Sequence, residues 1–133
     1  PSPNKVAHAL ARNFGWTIVP CGDTALNLLG LSTQVPSQWV YVSDGAYKEY
    51  TFNNTTIKFK RTTNKEISKV SYKTALTIQA LKALGKENIT EQVISRLKKI
   101  LTDEEKEKML AESKSATSWV LELIKVICKD EEK

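Results

Sequence analysis

The chain has 133 residues, 41% of them hydrophobic and 26% charged, with a net charge of +5. That length suits one ordinary domain with a core of its own, and that balance excludes wholesale disorder. The apolar runs are too short and too interrupted for any segment to be read as a bilayer span.

Ser2-Pro3 opens the first predicted helix. A serine hydroxyl can accept from an early backbone N–H, and proline has no N–H to lose at the first helical position. Val6, Ala7, Leu10, Ala11 and Phe14 recur at helical spacing on one side, with Lys5, His8 and Arg12 on the other. Gly15 is placed to end the helix in the left-handed conformation. A short apolar strand is predicted over 16–19, stopped by Pro20. Cys21-Gly22 make a turn, and Asp23 is placed to cap a second helix over 24–29. That helix is apolar almost all round, so it should be buried. Gly30 ends it.

The middle reads as β structure. Trp39-Val40-Tyr41-Val42 form the centre of a strand over Gln38–Ser43. Asp44-Gly45 predicts a tight hairpin into a strand over 47–52. Asn53-Asn54, both tolerant of positive φ, predict a second hairpin into a strand over 55–62. Alternation puts Ile57 and Phe59 on one face of that strand and Lys58 and Lys60 on the other. Two successive hairpins imply an antiparallel meander. Residues 63–70 read as a loop.

The remainder reads as helix. One is predicted over 71–84, with Tyr72, Ala75, Leu76, Ala80 and Leu84 inward and Gly85 closing it. Asn88 with Glu91 suggests a capping box for a helix ending near 101, and Thr102 with Glu105 suggests another for a short polar helix to about 112. The last helix, over 116–128, carries the stripe Ala116, Trp119, Val120, Leu123, Ile124 and Ile127. That stripe is too wide and apolar to stay in water. The polar helix before it offers only Met109 and Leu110 as a platform. Trp119 is therefore expected to dock on the two earlier helices of the same chain. The predicted fold class is α+β: a small, mostly antiparallel sheet of about four strands packed with helices, followed by a C-terminal helical layer. An α/β part over 1–70 and a helical part over 71–133 should pack together as one domain.

Catalytic constellations are missing from the pattern. His8 is the one imidazole and falls on the polar side of its helix, so nucleophilic triads have no evident base–partner pair. The acids of the β region, Asp44 and Glu49, do not form the acid, acid-x-Lys arrangement of a metal-dependent nuclease; the candidate strand reads Thr56-x-Lys58. Pro20-Cys-Gly-Asp-Thr-Ala25 has the outline of a phosphate turn. It lacks the phosphate-loop glycines and lysine, however, and Asp23 would sit where a phosphate should. No catalytic, metal or cofactor site is expected. Cys21 and Cys128 are far apart with no ligand spacing, which fits free thiols in a reducing, cytoplasmic setting.

Charge is the remaining signal. Residues 48–69 hold Lys48, Lys58, Lys60, Arg61, Lys65 and Lys69 against Glu49 and Glu66. Such a stretch is either a solvated surface or a site for an anionic partner, whether an acidic protein surface or nucleic acid. Those six residues are the candidate partner-binding set, with Tyr47 or Tyr50 available to stack on bases in the nucleic-acid case.

The run Gly22-Asp-Thr-Ala-Leu-Asn-Leu-Leu-Gly-Leu-Ser-Thr-Gln-Val-Pro36 resembles the bacterial AbiEi-type antitoxin and transcriptional regulator family. So do Trp39-Val-Tyr-Val-Ser-Asp-Gly45, Ile57-Lys-Phe-Lys60, Ser71-Tyr-Lys-Thr-Ala-Leu76, Gln79-Ala-Leu-Lys-Ala-Leu-Gly85 and the Trp119 helix. The resemblance runs over essentially the whole chain and rests on structural motifs. It implies a non-enzymatic effector domain that opposes a nucleotidyltransferase-like toxin, preceded by a DNA-binding winged helix-turn-helix. The sequence opens Pro-Ser-Pro with no methionine. About seventy to a hundred further residues are therefore expected upstream. No residue here matches the helix-turn-helix. The alternative reading is a domain that binds nucleic acid directly through the basic sheet face.

Overall fold

The structure, a computed structural model, describes residues 2–62, 67 and 69–129. Helix α1, Pro3–Phe14, begins as its sequence dictates: the Ser2 hydroxyl accepts from Lys5 N–H at 3.2 Å, and Gly15 closes the helix at φ 71°. Strand β1, Ile18–Pro20, and helix α2, Gly22–Leu28, follow. Asp23 is not the cap of α2. Cys21 takes that position without a side-chain hydrogen bond, and Asp23 lies in the first turn.

The sheet contains β2 (Gln38–Ser43), β3 (Lys48–Phe52) and β4 (Thr55–Arg61) beside β1. Its order is β1-β2-β4-β3. The β1–β2 and β3–β4 pairs are antiparallel, whereas β2 and β4 run parallel. The fold is thus α+β with a mostly antiparallel sheet, but the expected meander is incorrect, because β4 inserts between β2 and β3. Composition explains the exchange. Ile57 and Phe59 of β4 are fully buried and need neighbours on both sides. Lys48 and Glu49 of β3 are exposed, as suits an edge.

Asp44-Gly45 does not make the hairpin either. The Asp44 carboxylate accepts from Thr17 N–H at 2.9 Å, and Gly45 N–H donates to the Ser43 hydroxyl at 2.9 Å. The dipeptide ties the end of β2 to the start of β1. The second hairpin forms as read, with Asn53 and Asn54 at φ 48° and 63°.

Helix α1 covers one sheet face, where Ala7 and Ala11 meet Trp39, Tyr41, Ile57 and Phe59. The Tyr41 hydroxyl, in that layer, donates to Asn4 at 2.7 Å. Helix α2 lies alongside β2, where the Thr24 hydroxyl accepts from Val40 N–H at 2.8 Å. On the face opposite α1, α3 (Tyr72–Leu84) packs beside β1. Val19, Val42, Ile67, Val70 and Ala75 fill the space there.

After a 3₁₀ turn at Lys86–Asn88, α4 (Glu91–Ile100), α5 (Asp103–Glu112) and α6 (Ser118–Cys128) complete the chain. Asn88 does not cap α4. Its side-chain N–H donates to Leu84 O at 2.8 Å, and the hydroxyl of Thr90 accepts from Val93 N–H at 3.2 Å as the cap. The Thr102–Glu105 capping box forms as read, with both reciprocal bonds present.

Ala25, Leu26 and Leu29 of α2 share one core with Leu76, Leu81, Leu97, Met109 and Ile124. That core joins the part before residue 70 to the part after it. Helix α6 packs against α5 as well as α3 and α4, since Met109 presents a fully buried side chain from the otherwise polar α5. Val120, Ile124 and Ile127 are the buried residues of the α6 stripe, whereas Trp119 is only partly buried at its margin.

One carboxylate also holds α5 to α3. Glu112 accepts from Ser71 N–H at 3.0 Å and from the Ser71 hydroxyl at 2.9 Å, capping α3 from a distance in sequence. Burial works against its charge, but the bonds from Ser71 and Thr74 and the nearby Lys108 outweigh that, so its pKa lies below the ordinary 4.5. A lowered folded-state value gives stability that is complete above the unfolded value and lost as pH falls through the folded one. Glu112→Gln should therefore be less stable than wild type near pH 7, with the gap closing as pH falls below the ordinary 4.5, as read by urea unfolding. A gap independent of pH would show that the charge contributes nothing.

Candidate partner-binding surface

The six basic residues of the 48–69 stretch do not form one patch. Strand register divides them. Lys48 pairs with Phe59 and Arg61 with Ser43, which places both on the α1 side of the sheet. Lys58 pairs with Val40 and Lys60 with Val42, which places both on the opposite side. Lys69 lies elsewhere, lining a cavity of about 170 Å³ with Val70, Ile78, Glu112, Ser113, Ser115 and Ala116. Lys65 lies outside the described residues.

On the α1 side the cations sit among aromatic rings. The Lys48 ammonium is 5.8 Å from the centroid of Phe14. Phe14 stacks on Trp16 at 4.6 Å, and Tyr50 approaches Phe14 at 6.5 Å. A cation over a ring face is attracted by the ring quadrupole, by roughly 0.5–1 kcal/mol when exposed. Arg61 reaches back to donate to Gly45 O at 3.5 Å. Phe14, read from the sequence as part of the core stripe, is 42% exposed. It is the last residue of α1, beside the cap, and so it lies at the margin of the packed interface. That terminal position in the stripe was the available signal.

On the other side, Lys58 lies 3.8 Å from Glu49 across the β3–β4 pair. Both groups face solvent in part, so the pair contributes about 0–1 kcal/mol. Lys60 is exposed and has no carboxylate partner among the described residues. Its charge is felt at Cys21, where burial raises the thiol pKa and Lys60 pulls it the other way. Glu49 and Thr51 of β3 are exposed on this face as well. Helix α3 packs beside β1 on this face, whereas Glu49, Thr51 and Lys60 of the β3–β4 half are exposed among the described residues.

Other reactive groups are quiet. His8 is not a free surface imidazole. It is half-buried, edge-on to Tyr41 at 6.0 Å and to Tyr72 at 5.9 Å. Burial, and then the Arg12 charge, lower its pKa. Burial also pushes the Cys128 thiol up to about 11. A buried thiol with a raised pKa is a poor nucleophile. Among the described residues, no group of three or more His, Cys, Asp or Glu side chains is placed to hold a metal ion. No described helix is long and apolar enough to cross a membrane.

The arrangement is suited to contact. β3 and β4 together present Lys48, Lys58, Lys60 and Arg61 against the single acid Glu49, with aromatic rings on one face. No curated protein and no solved structure matches the chain. Residues 1–109 match the family of unknown function DUF6088, and the chain belongs to that family.

Proposed function

We propose that this domain is a non-enzymatic binding module, the effector half of an AbiEi-like antitoxin and transcriptional regulator acting in the cytoplasm. Its partner is a protein, a nucleotidyltransferase-like toxin, and an upstream winged helix-turn-helix supplies DNA binding. The motif resemblance supports the partner's class. The observation that carries the binding role is the β3–β4 ribbon, with four basic side chains against one acid and with Lys60, Glu49 and Thr51 exposed on one face among the described residues. Charged, exposed ribbons of this kind steer an oppositely charged surface and fix its register.

Charge reversal tests this. Lys58→Glu with Lys60→Glu should weaken the complex with the product of the adjacent toxin gene by about tenfold or more, chiefly through slower association. The melting temperature should fall only slightly, by the loss of the Lys58–Glu49 pair and the like charges left facing each other, because neither side chain belongs to the core. Wild-type affinity in the double mutant would remove these lysines from the interface.

Direct nucleic-acid binding is a second reading. It is favoured by the exposed Phe14 beside Lys48 and by the exposed Tyr47, since rings can stack on bases while cations meet phosphates. Salt separates the two readings. Each phosphate contact on duplex DNA steepens the log–log salt dependence by about 0.9, whereas a protein interface with an apolar centre weakens far less.

A further inference from the structure

The two edges of the sheet differ. The β1 edge is short, three residues ending in Pro20, which has no N–H to offer, and α3 packs beside it. These are devices that block further pairing. The β3 edge has five residues, contains no proline and, among the described residues, pairs with β4 alone. Its hydrogen-bonding pattern follows from the turn. Phe52 and Thr55 flank the two-residue turn as its closing hydrogen-bonded pair. Alternation then points the main-chain groups of Tyr50 and Lys48 at β4, and those of Glu49 and Thr51 outward. The side chains of Lys48, Tyr50 and Phe52 line one face of this edge with Phe14 above them, while Glu49 and Thr51 line the other.

We propose that β3 is a strand-addition site. An extended, net-acidic segment of the protein partner pairs with the outward N–H and C=O groups of Glu49 and Thr51. Its apolar side chains lie against Phe14, Tyr50 and Phe52, and its carboxylates meet the Lys48, Lys58, Lys60 and Arg61 field. Main-chain bonds supply the affinity in this mode, and alternate side chains supply the specificity. Charge complementarity selects the occupant. A second copy of this chain paired antiparallel about Tyr50 would set Glu49 beside Thr51 and Lys48 beside Phe52, joining no opposite charges and bringing two basic ribbons together. The proposal rests on the reading of the domain as a protein-binding module and adds its mode of contact.

The test uses the full chain and two synthetic peptides alternating valine and threonine, one capped by glutamates and one by lysines. By NMR, the glutamate-capped peptide should shift the Glu49 and Thr51 amides and protect them from exchange. It should bind about tenfold tighter than the lysine-capped peptide. Thr51→Pro removes an outward donor, which an edge strand tolerates, and should abolish this binding with the melting temperature kept. Shifts confined to other surfaces, or a folded Thr51→Pro protein that binds as wild type, would overturn strand addition. Concentration-dependent dimerisation through β3 without peptide would also overturn it, by assigning the edge to a second copy. If Lys58→Glu with Lys60→Glu weakens the natural complex and Thr51→Pro does not, the binding role stands and strand addition falls. If neither substitution matters, both fall.

Discussion

Ile124→Ala is expected to destabilise the protein by about 2–5 kcal/mol, the range for truncating a buried isoleucine to alanine where the site cannot collapse. Ile124 is fully buried, in the core that α2 and α3 share with α4, α5 and α6. The cavity would open between helices from distant parts of the sequence, so a single backbone shift cannot refill it. Trp119, with more apolar surface, should cost less than a fully buried tryptophan because the core leaves it partly in water. Denaturant unfolding of Ile124→Ala and Trp119→Ala gives the comparison. If Ile124→Ala unfolds like wild type, α6 is not part of this core in solution, and its apolar stripe must be covered by something else.

Gly45→Ala should cost about 1–3 kcal/mol, the usual range for overpacking a filled site. The backbone at Gly45 does not adopt positive φ, so conformational freedom is not the reason for glycine. Space is the reason, since a Cβ there would overlap the Trp16 indole ring. Trp16 is held in turn by stacking on Phe14 and by an edge contact to Phe59 at 5.8 Å. It cannot move without disturbing the aromatic face of the proposed binding ribbon. The coupling can be measured directly. In a Trp16→Ala background, Gly45→Ala should be nearly neutral, and the double-mutant cycle should return most of the single-mutant penalty. An equal penalty in both backgrounds would place the cause elsewhere.

Local signals fixed what local physics controls. Ser2-Pro3 and Gly15 bracket α1, Thr102 with Glu105 opens α5, and Asn53-Asn54 turns β3 into β4. Each needs only neighbours within a few residues, and each is legible in a single chain. The apolar stripe of α6 likewise required a partner surface before any surface was known. The cap of α4 is misread from the sequence: the spacing points to Asn88, but Asn88 is taken up by the 3₁₀ turn, and Thr90 caps the helix instead.

Strand order was beyond the sequence because alternation shows which side chains share a face and says nothing of which strand lies next. Asp44-Gly45 carries a hairpin signature, yet the Thr17 amide and the Trp16 ring, both far off in sequence, compete for it and win. With that turn gone, β4 could pair with β2 and bury Ile57 and Phe59 between neighbours on both sides. The same event divided the basic stretch. Residue type made Lys48, Lys58, Lys60 and Arg61 a single charged run, and the pleat with its register sent two to each face of the sheet. The sequence by itself thus determined the helices, the hairpin at Asn53-Asn54 and the sign of the surface charge. Tertiary structure decided which strand became the open edge, because only the packed sheet determines which main-chain groups are left without a neighbour.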